Sequence, residues 1–81
     1  MSASQRLAAN LRRLAAEVRE RDGLTSAELL ALLLPGPTPS ARTTWSRYLA
    51  GDHWPTAERL DSMAAVLGVD VADLLAEVKS G

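Results

Sequence analysis

Leu32 to Tyr48 reads LLLPGPTPSARTTWSRY. Three leucines that close one helical pattern run into Pro35, Gly36, Pro37 and Pro39, and a second helical pattern starts at once behind them. Proline cannot donate its amide and disfavours helix at the residue before it, so Pro35 stops the first helix. Ser40, directly after Pro39, is a good N-cap for the second helix, over about residues 41–50, with Gly51 as its stop. The stretch therefore predicts two helices joined by a stiff loop, and the second helix carries the chemistry.

That second helix has two faces. Ala41, Trp45, Tyr48 and Leu49 fall on one side at a period of about 3.6, which makes Trp45 and Tyr48 core residues. Arg42, Thr43, Ser46, Arg47 and Ala50 fall mostly on the other, with no acidic residue between Ser40 and Gly51. Short hydroxyl side chains let a helix sit deep in a groove, and arginine can fork onto guanine O6/N7 or clamp phosphate. A solvated helix of no special role would more often alternate Glu with Arg.

Working outward, the rest of the chain is helical as well. Alanine and leucine dominate the apolar residues, isoleucine, phenylalanine and cysteine are absent, and β-branched residues are few. Ser2 with Gln5 has capping-box spacing, followed by Leu7, Leu11, Leu14 and Val18 in one stripe that ends at Asp22 and Gly23. Thr25 with Glu28 opens a second helix through Leu29, Leu30, Leu32 and Leu33. Pro55 and Thr56 set up a fourth helix with Leu60, Met63, Ala64 and Leu67 buried and Gly68 beyond its end. Asp70, with Asp73 at the capping-box position, opens a fifth with Leu74, Leu75 and Val78 apolar. The expected helices are 3–21, 26–34, 41–50, 57–67 and 71–78, in one domain over residues 1–81. No strand, repeat or linker is expected.

At 81 residues the chain supports one small core. The absence of cysteine excludes disulfide and thiolate chemistry. No apolar run approaches the roughly 18 residues of a membrane span. The start, MSASQRLAAN, lacks a signal-peptide core, so a cytoplasmic protein is expected. Net charge is −1, but residues 1–60 carry +2 and residues 61–81 carry −3. Eight of the nine basic residues are arginine, suited to phosphate and guanine, although a genome-wide bias enriches arginine equally well.

The segments TSAELLALL, SARTTWSRYLAG and WPTAERLDSMAAVLGVDVADLL, in this order, resemble the Cro/repressor-type helix-turn-helix family, also called the XRE family. The match is best from Thr43 to Leu75, and RLAANLRRLAAEVRERDGLT looks like the family's first helix and the turn into the second. The resemblance implies an all-α, compact, five-helix, lambda-repressor-like domain that binds double-stranded DNA. Helices two and three would form the helix-turn-helix, with helix three in the major groove. It makes Arg42, Thr43, Ser46 and Arg47 the expected base and phosphate contacts, with Thr44 at the groove edge and Ser40 at the start of that helix. Ser26 stands where the family often has a glutamine that holds the backbone. His53, in the loop after the recognition helix, and Arg59, in the first turn of helix four, are further backbone candidates. The family usually works as a two-fold dimer on half-sites about one helical turn apart. Val69, Val71, Leu74, Leu75 and Val78 exceed what a short helix can bury internally and form the expected dimer surface. Such a domain, similar in size to prophage, plasmid and antitoxin regulators, would act as a transcriptional regulator, a repressor above all.

Two departures stand out. Leu49 replaces a common glutamate, and the turn between helices two and three is longer than the usual three or four residues by about five. They leave open an alternative: an adaptor or antitoxin-like module of the same fold that binds a protein. Arg6, Arg12, Arg13 and Arg19 on the first helix read as phosphate attractors or as a solvated face balanced by Glu17 and Glu20. Trp54 is expected against the core or a dimer mate. One histidine and no cysteine argue against a metal site, and Asp52 with His53 in one loop does not make a catalytic triad. No enzyme, cofactor or small-molecule effector is expected.

Overall fold

The computed structural model describes residues 2–36 and 38–76, with Thr38 and Pro39 described by backbone alone. Five helices follow in order: α1 Ala3–Asp22, α2 Ser26–Leu33, α3 Thr38–Ala50, α4 Ala57–Leu67 and α5 Val71–Leu75. No strand occurs among the described residues. The radius of gyration is 11.9 Å, against about 11.7 Å for a compact chain of this length. No helix among the described residues is long and apolar enough to cross a membrane.

Local chemistry sets most helix ends. At α1, Ser2 Oγ accepts from the Gln5 amide at 3.2 Å and Gln5 Oε1 accepts from the Ser2 amide at 3.0 Å. At α2 the box repeats: Thr25 Oγ1 accepts from the Glu28 amide at 3.1 Å and Glu28 Oε1 from the Thr25 amide at 3.0 Å. Each box satisfies two donors that a helix start would otherwise leave without partners. Thr56 Oγ1 caps α4 through the Arg59 amide at 3.2 Å, and Asp73 Oδ2 accepts from the Asp70 amide at 3.1 Å. Gly23 ends α1 at φ 67°, a left-handed conformation that costs glycine little.

The helix behind the prolines begins earlier than its pattern suggests. α3 starts at Thr38, so Ser40 is a first-turn residue and not the N-cap. Pro39 sits inside the helix because amides of the first turn have no partner within it, and a missing one costs nothing there. The connection from α2 to α3 thus shrinks to residues 34–37, an ordinary length, and the expected long turn is absorbed as an extra turn of helix. Gly36, at φ 138°, makes the bend.

α1 is the spine against which α3 and α5 pack, while α2 packs on α3 and α4. Leu7, Leu11, Leu29, Leu33, Met63 and Leu74 are almost fully buried, with Tyr48, Leu60 and Leu67 around them. Leu34, expected as the last helical residue of α2, turns out of the helix and into this core. Leu32, expected on the apolar stripe, is 53 % exposed. At 100° per residue only Leu29 and Leu33 of α2 share the inward direction. α5 ends at Leu75, shorter than expected, and Val78 lies outside the described residues.

Candidate nucleic-acid interface

α3 is held with one side down. Ala41 and Tyr48 are buried, and Trp45 and Leu49 are half-buried against the core. The opposite side is exposed at Arg42, Thr43, Ser46 and Arg47, with Thr44 half-buried at its margin. With 3.6 residues per turn, Arg42 and Arg47 point about 140° apart, and Ser46 and Thr43 lie between them. The face is a strip of small hydroxyl residues flanked by two guanidinium groups, and α3 contains no carboxylate.

Neighbouring elements frame this strip on both sides. On the Arg42 side, a shallow depression is lined by Ser26, Arg42, Trp45 and Ser46. Ser26 is the first residue of α2, where helical amides have no partner within the helix. The capping box occupies the Glu28 amide and leaves those of Ser26 and Ala27 outside the ladder. On the Arg47 side, Ser40, Thr43, Thr44, Arg47 and His53 line a second, open depression. His53 is exposed, and its ring stacks on Tyr48 with centroids 5.7 Å apart and planes at 15°. Arg59, half-buried at the start of α4, shares a third depression with Ser40 and Thr44. The candidates read from the sequence thus lie on α3 or in the depressions beside it, with Arg59 on the flank toward buried Ala41.

The expected dimer residues separate. Leu74 is fully buried in the chain's own core, so it cannot line a surface between copies. A five-residue helix docked on α1 turns one residue wholly inward. Val69, Val71 and Leu75 remain half-buried at the edge of the core. Trp54, expected against the core or a dimer mate, is 44 % exposed and so does not pack in the chain's own core, while its neighbour Pro55 is buried.

Two polar contacts of α1 carry no periodic signal in the sequence. Arg12 Nη2 donates to the Leu49 carbonyl at 3.1 Å, tying α1 to the end of α3. Asn10, on the apolar side of α1, is buried and holds the end of α5. Of the other α1 arginines, Arg13 pairs with Glu17 at 3.5 Å on an exposed helix turn. Among the described residues there is no group of His, Asp or Glu that could hold a metal ion.

Comparison of the chain with protein-family models, with curated proteins and with solved structures gives no match. The helix-turn-helix resemblance therefore rests on the residue pattern.

Proposed function

We propose that this chain is a sequence-specific double-stranded DNA-binding regulator, a repressor, that places α3 in the major groove and acts as a homodimer. The observation that carries the reading is the exposed, carboxylate-free face of α3, with Arg42 and Arg47 flanking Thr43 and Ser46. A helix fits the major groove, about 12 Å wide, and small residues at its centre allow close approach to base edges. Arginines at the two margins of that face reach toward the walls of the groove, where the phosphates are. Ser26 and the first amides of α2 suit a phosphate on one wall. Arg59 and His53 suit the other.

The dimer has a physical motive. One helix contacts few base pairs, and two half-sites multiply the discrimination. The segment from Val69 onward is acidic and offers the half-buried Val69, Val71 and Leu75, a surface that repels DNA and suits a second copy.

The deciding experiment is a mobility shift on duplexes selected from random DNA, repeated over a salt series. Binding through several phosphates gives a log–log slope of about −0.9 per phosphate neutralised. Arg42→Ala and Arg47→Ala weaken it. Binding to no duplex, or binding indifferent to salt and to both substitutions, would sink this reading in favour of a protein-binding adaptor of the same fold.

A further inference from the structure

Between α1 and the α2–α3 pair lies a cavity of about 180 Å³ that touches the DNA-facing depression only through Ser26, Leu30 and Trp45. Ala15, Leu29 and Leu33 form its buried floor, and Leu30, Trp45 and Leu49 its half-buried walls. The cavity opens to solvent on one side, so an occupant can enter and leave without unfolding the domain.

The rim has the opposite character. Arg12 and Arg19 stand on it, two turns apart on the same side of α1. Neither pairs with a carboxylate among the described residues. Arg12 donates one N–H to the Leu49 carbonyl and keeps its charge. No acidic side chain lines the cavity, and Ser26 is its one uncharged polar lining residue.

We propose that this cavity binds a small amphipathic carboxylate: one ring-sized apolar body with a single anionic group at the rim. Size sets the body, since an apolar cavity of about 150 Å³ takes benzene. The cavity here leaves room for one ring and the link to a carboxylate. Charge sets the head group, which would meet Arg12 or Arg19. A sugar or nucleotide would need several convergent donors and acceptors, which these walls do not supply. The site does not depend on DNA binding and stands or falls by itself.

The test uses the full chain and phenylacetate as probe, with phenylacetamide as its neutral counterpart of equal size. Trp45 lines the cavity, and its emission reports occupancy once Trp54→Phe removes the second indole. Phenylacetate shifts the emission saturably, and phenylacetamide binds at least about threefold more weakly, the scale of exposed ion pairs. Raising salt weakens the carboxylate and leaves the amide unchanged. Ala16→Phe, at an exposed position on the cavity mouth, abolishes the response while helicity is retained. Arg12→Gln combined with Arg19→Gln, both exposed, removes the preference for the carboxylate and guards against a misfolded Ala16 variant. No saturable response to phenylacetate overturns the proposal. So does equal affinity for the amide, or a response that survives in folded Ala16→Phe.

Discussion

Asn10, 1 % exposed in the middle of α1, donates from Nδ2 to the carbonyl oxygen of Leu74, 2.8 Å away and 64 positions later in the chain. The same nitrogen donates to the Ala76 carbonyl, also at 2.8 Å. α5 has five residues, too few to persist as a helix without tertiary support. One amide group therefore fixes the end of the fold to its beginning. Asn10→Ala removes both donors and leaves two carbonyls without them, at a cost of about 1–3 kcal/mol. Denaturant unfolding measures the loss, and hydrogen exchange should locate it in α5. An Asn10→Ala variant with α5 amides as protected as the parent's would show that the apolar contact of Leu74 alone seats the helix.

The two arginines of α3 should separate by kind of contact. Each lies at a margin of the exposed strip, with Ser46 and Thr43 at its centre. Arg42→Ala and Arg47→Ala then weaken binding to all duplexes alike and each lowers the salt slope by about 1. Ser46→Ala and Thr43→Val change which sequence is preferred more than they change affinity for random DNA. Competition binding with selected and scrambled duplexes makes the distinction. Should Arg42→Ala lose about 1–3 kcal/mol on the selected site only, Arg42 reads a base.

Sequence alone reached furthest where both partners of an interaction lie within one turn. The boxes Ser2–Gln5 and Thr25–Glu28 and the stops at Gly23 and Gly68 are local, and the helices they bound came out within a residue of the reading. Pro39 misled because a helix breaker in mid-helix is harmless in a first turn, and only the rest of the fold decides which applies. Leu32 and Leu74 misled for a second reason. A run of leucines shows that something is buried, and the docking of a short helix chooses which. The exposed side of α3 was legible because its residues share one helix face. Ser26 and His53 are expected through the family resemblance and Arg59 from its place in the first turn of helix four, since nothing in their spacing joins them to α3. Asn10 and the cavity beside Arg12 depend on contacts across the whole chain and have no local signature.

Acid should loosen the start of α2 before it unfolds the molecule. The hydrogen bond from the Thr25 amide, supplemented by the Thr25 side chain, holds the exposed Glu28 carboxyl below its ordinary range. A carboxylate with a depressed folded-state value contributes stability that is fully present above its unfolded value, about 4.3. That contribution disappears as pH falls through the folded value. Glu28→Gln keeps an acceptor for the Thr25 amide without the charge. The parent's advantage over Glu28→Gln in thermal midpoint should therefore be present at pH 7 and disappear as pH falls through the folded value. Parallel curves for the two proteins across that range would mean that the Glu28 charge adds nothing to the cap.

The acidic end of the chain should divide into a core residue and surface residues. Leu74 is fully buried, while Val71 and Leu75 are half-buried at the edge of the same cluster. Leu74→Ala deletes fully packed atoms and should cost about 2–5 kcal/mol in every oligomeric state, a large share of a small domain's stability. Val71→Ser with Leu75→Ser should cost the monomer far less. If these residues meet a second copy, the double variant shifts sedimentation toward monomer. Binding to a two-half-site operator then falls much further than binding to a single half-site. A double variant that keeps the parent's sedimentation and operator affinity would place any dimer contact elsewhere, and exposed Trp54 is then the next residue to replace.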